Sequence, residues 1–238
     1  MNLQSILIND KKVLLCNKES LLNTVHEQNK ILVSINAEAI MKDDLRFTEI
    51  INTNIGYADG VGTILAVKRY FPDLHVEKIA GVELWLDILG KAENKDIYLV
   101  GGTQEVIEKV AHKIALDFPR VNLIGFRNGY LQTREEKNDL INKIASTKPD
   151  IVVIAMGQPI QEYLADNLYH VHPALYLCVG GSFDIYAGIK KRAPSLVIKF
   201  GLEWFYRFLQ EPKRWKRYLS LIVFLKKLLF KEIQCEKS

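Results

Sequence analysis

Residues 96–125, DIYLVGGTQEVIEKVAHKIALDFPRVNLIG, contain the pattern that decides the fold. The apolar run Asp96–Val100 predicts a buried strand that ends at the glycine pair following it. From Gln104 to Phe118 the apolar residues recur with helical spacing, and Val121–Gly125 predicts the next strand. A strand, a helix and a second strand in this order form a unit with parallel strands and a right-handed crossover.

The same alternation continues on both sides of this unit. The remaining predicted strands are Lys12–Leu15, Ile31–Ile35, Ile151–Ala155 and Leu175–Val179. The remaining predicted helices are Lys18–Gln28, Ala37–Ile51, Gly60–Tyr70, Glu135–Ser146 and Pro159 to about Asn167. Strands and helices that alternate in this way indicate an α/β fold, in which helices cover both faces of a parallel sheet.

The size and composition are those of an ordinary globular protein, with 238 residues, 48% hydrophobic and 25% charged. This composition excludes disordered, collagen-like and disulfide-stapled proteins. The three cysteines stand far apart without a C-x-x-C pair, which favours a reducing compartment. The first residues lack the pattern of a signal peptide, and the apolar run Leu219–Leu225 is too short to span a bilayer. We therefore expect a cytoplasmic protein, unless a membrane surface holds it.

The formal net charge of +4 hides a strong asymmetry along the chain. Residues 190–238 carry 13 Lys and Arg against 4 Glu, a net charge of +9, so residues 1–189 carry −5. Because most of the surface is then acidic, we expect no binding to nucleic acid. The change of character after Pro194 suggests a domain of residues 1–194 followed by an appendage of residues 195–238.

Three junctions marked by glycine follow predicted strands. They are Gly101-Gly102-Thr103-Gln104, Gly157-Gln158-Pro159-Ile160-Gln161 and Gly180-Gly181-Ser182-Phe183-Asp184. The carboxyl ends of parallel strands meet at one edge of a sheet, where helix N-termini favour anions, so together they predict a nucleotide or nucleotide-sugar site. None of them has the G-x-G-x-x-G or P-loop pattern. For each junction alone, a tight turn between strand and helix is an equally good interpretation.

Asp59 lies in another glycine-flanked segment, residues 54–62 (NIGYADGVG). An ionised carboxylate at this place would reach a substrate hydroxyl and act as a general base. The alternative is that Asp59 caps the helix predicted to begin at Gly60. Asn36 is a further candidate. Asp184 either contacts substrate or orients its loop, and we slightly favour the second role.

No pattern in the chain is typical of a metal site. The sequence contains no D-x-D, and its five histidines are dispersed. We therefore expect no metal ion. A diphosphate leaving group would then need Arg or Lys to neutralise its developing charge.

Eight short motifs follow one another along about residues 5–220. They are Ser34–Glu38 (SINAE), Ala58–Gly62 (ADGVG), Val100–Thr103 (VGGT), Gly157–Glu162 (GQPIQE), Val179–Asp184 (VGGSFD), Lys191–Pro194 (KRAP), Gly201–Arg207 (GLEWFYR) and Glu211–Tyr218 (EPKRWKRY). In these motifs and their order the chain resembles the WecG/TagA/CpsF bacterial glycosyltransferases, glycosyltransferase family 26.

The resemblance implies a Rossmann-like α/β domain and an inverting transfer that needs no metal and no cofactor apart from the donor substrate. The implied donor is a UDP-activated sugar of the N-acetylmannosamine type, either ManNAc or ManNAcA. The implied acceptor is an amino sugar linked to undecaprenyl diphosphate. Such enzymes contribute to teichoic acid, enterobacterial common antigen or capsule.

The resemblance also assigns roles to residues. By position, Asp59 matches the general base, while Ser34 and Asn36 match the sugar pocket. Three arginines match basic residues of a C-terminal appendage that closes over the site and supports the diphosphate, namely Arg207, Arg214 and Arg217. The other substrate-binding candidates are Gly101, Gly102, Gly157, Gly180, Gly181 and Asp184 from the junctions, together with Gln161 and Glu162, which match the family's Gln-Glu pair.

Lys78 departs from the family pattern, which usually has Arg at this place. Lysine keeps the positive charge but loses the fork that binds a phosphate or carboxylate through two hydrogen bonds. Lys78 therefore stays a substrate-binding candidate, but it would bind a phosphate or carboxylate without the paired hydrogen bonds of an arginine. A uronic acid donor carries a carboxylate and would need an extra cation in the sugar pocket. Lys78 is the one unusual candidate for this cation.

The stretch from Pro212 to about Lys231 predicts a basic amphipathic helix. Its apolar face would comprise Trp215, Leu219, Ile222, Val223, Leu229 and Phe230, while Phe224 and Leu228 interrupt the basic side. Such a helix is typical of a membrane-surface element. The alternative is a helix packed on the domain with its basic face in solvent. A lipid-linked acceptor favours the membrane, so we expect a peripheral protein at the inner face of the cell membrane.

Two other functions stay open at the level of sequence. One is a soluble nucleotide-binding oxidoreductase, against which the missing dinucleotide fingerprint argues. The other is a membrane-associated assembly factor without catalysis. The sequence does not determine the donor sugar, the acceptor, the polymer or whether the chain forms a homo-oligomer.

Overall fold

A computed structural model of the chain describes residues 4–25, 28–210 and 215–237. Within these residues nine strands form one sheet. The strands are β1 (Ser5–Ile8), β2 (Lys11–Leu14), β3 (Ile31–Ile35), β4 (Ile55–Ala58), β5 (Asp96–Gly101), β6 (Asn122–Arg127), β7 (Ile151–Ala155), β8 (Leu175–Cys178) and β9 (Cys235–Lys237). Their order in the sheet is β6-β5-β7-β8-β3-β4-β2-β1-β9.

Helices connect these strands and cover the sheet. Those in the described part of the chain are α1 (Lys18–Val25), α2 (Ala37–Met41), α3 (Leu45–Thr53), α4 (Val61–Tyr70), α5 (Gly81–Lys91), α6 (Gln104–Asp117), α7 (Arg134–Thr147), α8 (Ile160–Val171), α9 (Ser182–Tyr186), α10 (Ser195–Lys199), α11 (Glu203–Gln210) and α12 (Trp215–Leu229).

Strands β2 to β8 run parallel, while β1 pairs antiparallel with both of its neighbours. The interior strand β7 is buried along its whole length, as expected for a parallel sheet with helices on both faces. Two clusters of buried apolar residues lie on the two faces. The predicted α/β, Rossmann-like fold class is thereby confirmed.

Several predicted boundaries shift by a residue or more. The segment predicted as one helix over Ala37–Ile51 is two helices, because the side chain of Asp44 accepts a hydrogen bond from the Phe47 N–H and caps α3. The helix predicted over Lys18–Gln28 is described to Val25, and residues 26–27 lie outside the described part. Pro159 is the N-cap of α8 rather than its first residue.

The order of the strands brings the predicted loops together. The chain leaves β5 towards β6 but leaves β7 towards β8, so the two connections diverge between β5 and β7. A divergence of this kind opens a crevice at the carboxyl ends of the strands, which is the usual ligand position in open α/β sheets. We call this side of the sheet, where β3, β4, β5, β7 and β8 end, the carboxyl edge.

The end of the chain packs against the sheet and its helices. Phe224 of α12 is fully buried, and its ring lies where a Cβ atom on Gly62 would come within 3.2 Å of it. Leu228 and Ile233 are also buried in the same core cluster. Strand β9 then adds to the sheet beside β1, with Ile6 opposite Lys237. The boundary between residues 194 and 195 stays a prediction.

Helix α12 docks on the protein through the side that the sequence pattern assigns to basic residues, and not through its predicted apolar face. Phe224 and Leu228, which interrupt the basic side in the sequence pattern, are the residues that dock the helix. The predicted apolar face is exposed instead, with Ile222 61%, Leu229 68% and Phe230 63% accessible. Apolar residues thus lie on two sides of α12, and those that interrupt the basic side are the ones that pack on the domain. Pro212 and Lys213 lie outside the described residues.

A search of the described helices for a membrane-spanning segment gave a negative result, since none of them is both long and apolar enough.

Candidate active site

Asp59 stands directly after β4 at the carboxyl edge. Its N–H donates to the Ile35 carbonyl at the end of β3, at 2.9 Å. The N-cap of the following helix α4 is Gly60, with φ of 81° and no side-chain cap bond. The N-cap residue of α4 is therefore Gly60, and not Asp59. The Oδ2 atom of Asp59 lies 3.6 Å from where a Cβ on Gly81 would stand, so the carboxylate faces the start of α5.

Tyr57 lies beneath this carboxylate and was missed at the level of sequence. Its side chain is buried, and its hydroxyl forms a hydrogen bond with the side chain of Ser34. Burial, with the charge of Asp59 next, raises the pKa of Tyr57 well above its ordinary value, so the phenol stays neutral. A Cβ on Gly81 would stand 2.7 Å from the phenol oxygen, which excludes any larger residue there. The buried side chain of Tyr57 thus contacts Ser34 and lies close to Asp59.

Asn36 lies next to the turn that carries Asp59. It is the N-cap of α2, and its Oδ1 atom accepts a hydrogen bond from the Ala39 N–H at 3.0 Å. The Cβ of Asn36 is 3.8 Å from where a Cβ on Gly60 would stand. The structure therefore brings Ser34, Asn36 and Asp59 together, as the resemblance predicts, while the amide oxygen of Asn36 already serves its own helix.

The glycines of the three junctions fall into two kinds. A Cβ on Gly101 would stand 2.3 Å from the Ala155 carbonyl oxygen, and one on Gly102 would stand 2.7 Å from the Val106 side chain. Close packing of backbone and helix explains these two. In contrast, no described atom lies within 4 Å of the Cβ position at three other glycines, namely Gly157, Gly180 and Gly181. The loops after β7 and β8 therefore border space that is open at these three glycines.

Gln161 and Glu162 lie below these two loops rather than at the surface. Both side chains are buried, and the Nε2 atom of Gln161 donates to Oε1 of Glu162 at 2.8 Å. The Oε1 atom of Gln161 accepts from the N–H groups of Gly157 at 3.1 Å and Gly180 at 2.9 Å. Burial raises the pKa of Glu162 to about 7. Their partners are thus each other, the backbone and the side chain of Gln158, which forms a hydrogen bond with Glu162.

Gln158 connects the β7 loop with the sugar-pocket segment. Its Nε2 atom donates to the Ser34 carbonyl at 2.8 Å and lies 3.4 Å from the Ser34 hydroxyl. This long-range contact places the ends of β3 and β7 at a fixed distance. The sequence offered one signal for it, because a helix that begins near Pro159 turns Gln158 back towards the strand ends.

Two of the charged candidates form ion pairs. The carboxylate of Asp184 lies 2.6 Å from Nζ of Lys190, and its carbonyl accepts from the N–H groups of Ile189 and Lys190. These contacts fit a role in orienting the loop. Lys78 lies 3.7 Å from a carboxylate oxygen of Glu203 on α11, so it joins the segment before α5 to the end of the chain.

The arginines of the C-terminal appendage are placed only in part. Arg207 lies in α11 and Arg217 in α12, but their side chains are outside what the structure describes, and Arg214 falls outside the described residues altogether. The turn before α11 is described. Gly201 has φ of 71°, and a Cβ on it would stand 2.7 Å from the side chain of Val61, next to Gly60. The C-terminal segment therefore reaches the rim of the site.

The described side chains contain no group of three or more His, Cys, Asp or Glu that could hold a metal ion. The arrangement as a whole presents a half-buried carboxylate, two open glycine loops and small polar side chains, all at the carboxyl edge. A carboxylate beside such loops is suited to activating a hydroxyl next to a bound phosphate ester.

Comparison with known protein families gives a match that covers nearly the whole chain. The model of the glycosyl transferase WecG/TagA/CpsF family matches residues 9–238. This match includes the motifs around Ser34, Asp59, Gly157 and Gly180, and it supports a glycosyltransferase role in the synthesis of surface polysaccharide. The chain therefore belongs to the WecG/TagA/CpsF family of glycosyltransferases.

Proposed function

We propose that this glycosyltransferase moves an N-acetylmannosamine-type sugar, ManNAc or ManNAcA, from UDP to an amino sugar linked to undecaprenyl diphosphate. The reaction inverts the anomeric centre and needs no metal ion. The observation that carries the proposal is the position of Asp59, whose carboxylate stands beside Asn36 and Ser34 at the same edge of the sheet as the open glycine loops.

In the proposed reaction Asp59 acts as the general base. The acceptor hydroxyl gives its proton to the carboxylate while its oxygen forms a bond to the anomeric carbon of the donor. The bond between that carbon and the diphosphate oxygen breaks at the same time, and UDP leaves with the electron pair. Attack from the side opposite to UDP accounts for inversion.

The departing diphosphate is placed at the loops after β7 and β8. Gly157, Gly180 and Gly181 let a phosphate approach the backbone closely, because no side chain stands between. Arg207, Arg214 and Arg217 are proposed to complete this site when the C-terminal segment closes over it, and so to take the place of a metal ion.

The exposed apolar residues of the C-terminal segment support work at a membrane surface. On α12 these are Leu219, Ile222, Val223 and Leu229, directly after it Phe230, and on the segment before it they include Leu196, Phe200 and Leu209. An exposed apolar patch flanked by Lys and Arg matches an anionic lipid surface. We propose that this face rests on the inner leaflet, where a lipid-linked acceptor is located.

A transfer assay tests the proposed function. The protein is incubated with a panel of UDP-sugars and a lipid-linked amino-sugar acceptor, with and without EDTA. We expect transfer from an N-acetylmannosamine-type donor that EDTA leaves unchanged. Turnover that stops with EDTA contradicts the metal-free mechanism. Liposome binding without any turnover favours an assembly factor, and tight nicotinamide binding favours an oxidoreductase.

The variant Asp59→Asn tests the base within the same assay. Removing the carboxylate is expected to lower the transfer rate by roughly 10²- to 10⁴-fold, because that is the usual contribution of a general base. Asp139→Asn, an exposed carboxylate on α7, is the matched control and keeps its activity. Near-normal transfer by Asp59→Asn would exclude this assignment.

A further inference from the structure

The side chain of Gln161 bridges two neighbouring strands where their own pairing stops. Strands β7 and β8 pair as far as Ile154 opposite Cys178, and the Val179 N–H still donates to the Ile154 carbonyl. Beyond this point the Oε1 atom of Gln161 accepts from the N–H groups of Gly157 and Gly180 and lies 3.4 Å from the N–H of Met156. One amide oxygen therefore continues the hydrogen bonding that the sheet no longer provides.

Glu162 fixes which way the amide of Gln161 points. A carboxyl group keeps an oxygen that accepts a hydrogen bond whether or not it carries a proton, so Oε1 of Glu162 binds the NH₂ group of Gln161 and leaves the amide oxygen facing the loops. The Nε2 to Oε1 distance of 2.8 Å is that of a good hydrogen bond. With the amide reversed, the NH₂ group would face the backbone N–H groups, and no acceptor would stand between them.

The burial of Glu162 is costly for the protein. Its Oε2 atom has no hydrogen-bond partner among the described residues, and its side chain is fully buried. A carboxyl group in this condition destabilises a fold unless its contacts bring another advantage. The advantage visible here is the fixed orientation of Gln161.

The two loops held by Gln161 have one bonded side and one open side. Gly157 and Gly180 have positive φ angles of 82° and 58°, and their Cα atoms face space without described atoms within 4 Å of the Cβ position. The N–H groups of these glycines point inwards to Gln161. Any shift of the amide therefore moves the open side of both loops, although the amide itself lies beneath them.

We propose that Gln161 and Glu162 form a buried clamp that sets the spacing of the β7 and β8 loops for the donor diphosphate without touching the substrate. The clamp is a positioning device, and it deepens the proposed function because it rests on the diphosphate lying at these loops. It differs from the role that the family resemblance implies for the same pair, which is direct contact with substrate.

Amide hydrogen exchange tests the clamp without any substrate. In the full chain the N–H groups of Gly157 and Gly180 are expected to be protected. Gln161→Met removes the acceptor at similar volume and is expected to raise exchange at both glycines about tenfold or more. Glu162→Met is expected to do the same, whereas Glu162→Gln keeps an oxygen acceptor and restores most of the protection. Unchanged exchange in Gln161→Met and Glu162→Met would overturn the clamp.

Steady-state kinetics with a UDP-sugar and lipid-linked acceptor give the second readout. We expect Gln161→Met to raise the donor KM about tenfold while kcat falls less than about threefold. The double variant Gln161→Met with Glu162→Met is expected to be no worse than Gln161→Met, because Glu162 acts through Gln161. A fall in kcat at unchanged donor KM, or effects that multiply in the double variant, contradicts positioning without contact.

Two controls keep the outcomes separate. Gln132→Met, at an exposed glutamine before α7, is the matched surface change, and thermal denaturation of each variant checks that it folds. If Gln161→Met does not fold, the decision rests on the contrast between Glu162→Met and Glu162→Gln. If the wild-type protein shows no transfer from any UDP-sugar, the proposed function fails, whereas hydrogen exchange still decides on the clamp.

Discussion

The carboxyl edge and helix α12 depart from the usual distribution of residues in opposite ways. At the carboxyl edge the amide of Gln161 and the carboxyl of Glu162 are buried, while the side chains of Ile222 and Leu229 on α12, and of Phe230 directly after it, are largely exposed. The buried polar groups are bonded to the backbone or to each other, so their burial holds loops in place. The exposed apolar side chains are accessible to solvent over most of their surface, and such patches usually mark a site that contacts a membrane or a partner protein.

The difference shows that burial alone does not identify function in this protein. At the carboxyl edge, buried polar side chains hold two loops in place. On α12, apolar side chains stay exposed on the surface. The following four changes test this contrast and the way the C-terminal segment is attached to the domain, and they are ordered by the size of the effect expected.

The largest effect is expected from truncating the residue that docks α12. Phe224→Ala removes a fully buried ring and is expected to lower the free energy of unfolding by about 3–5 kcal/mol. Phe230→Ala makes the same chemical change at a 63% exposed position of the segment that follows α12 and is expected to cost under about 0.5 kcal/mol. Urea denaturation measures both, and equal effects would contradict the docking of α12 through Phe224.

The second effect concerns the pH dependence of stability. Because burial raises the pKa of Glu162 to about 7 from 4.5, the folded protein keeps a proton that the unfolded chain releases between these pH values. The free energy of unfolding therefore falls by about 3 kcal/mol as the pH rises from about 4.5 through 7.

Glu162→Gln lacks this titration. Relative to the wild-type protein it is expected to gain about 3 kcal/mol of stability between pH 5 and pH 8. Denaturation curves of both proteins at several pH values measure the difference, in which the other titrating groups cancel. A constant difference across this range would show that Glu162 is not buried as described.

A third, smaller effect is expected at the exposed face of α12. Ile222→Ser is expected to weaken binding to vesicles that contain anionic lipid about tenfold, while the stability in solution stays the same. The control is Leu116→Ser, since Leu116 is 66% exposed on α6 and lies outside the C-terminal segment. Equal binding by both variants in a sedimentation assay would remove the support for a membrane-facing α12.

The smallest effect is expected from the ion pair between Lys78 and Glu203. Both side chains are partly exposed, so a double-mutant cycle with Lys78→Ala and Glu203→Ala is expected to give a coupling of about 0.5–1 kcal/mol. The exposed pair Glu105–Lys109 within α6 serves as the reference, at about 0.3–0.5 kcal/mol. A coupling no larger than the reference would mean that this pair does not fasten the C-terminal segment.

Much of the sheet was predictable from sequence because its central strands are continuous apolar runs bounded by glycine or proline. Strands β3 and β7 have the predicted bounds, and β5 and β8 differ by one residue at one end. Strand β4 was missed, since Ile55-Gly56-Tyr57-Ala58 has the composition of a turn. Strand β9 was missed because Cys235-Glu236-Lys237 has no apolar pattern and exists only through its pairing with β1.

For the candidate site, the sequence motifs indicate which residues lie together better than which partners they bind. Ser34, Asn36 and Asp59 lie together because strand ends meet at one edge of a parallel sheet, while their roles stay predictions. The sequence does not show that the oxygen of Gln161 faces backbone N–H groups, because this depends on two loops that are distant along the chain. Tyr57 was missed for a similar reason, as its hydroxyl contacts residues from other strands.

The pairing of β9 with β1 affects how the protein reaches its folded state. These two strands lie farthest apart along the described chain, so closing this contact carries a large loop entropy and is expected to occur late in folding. Until then β1 is the outer strand of the sheet, with unpaired N–H and C=O groups that invite pairing between molecules. Once it has paired, β9 covers the N–H and C=O groups of β1 that would otherwise form an open edge of the sheet.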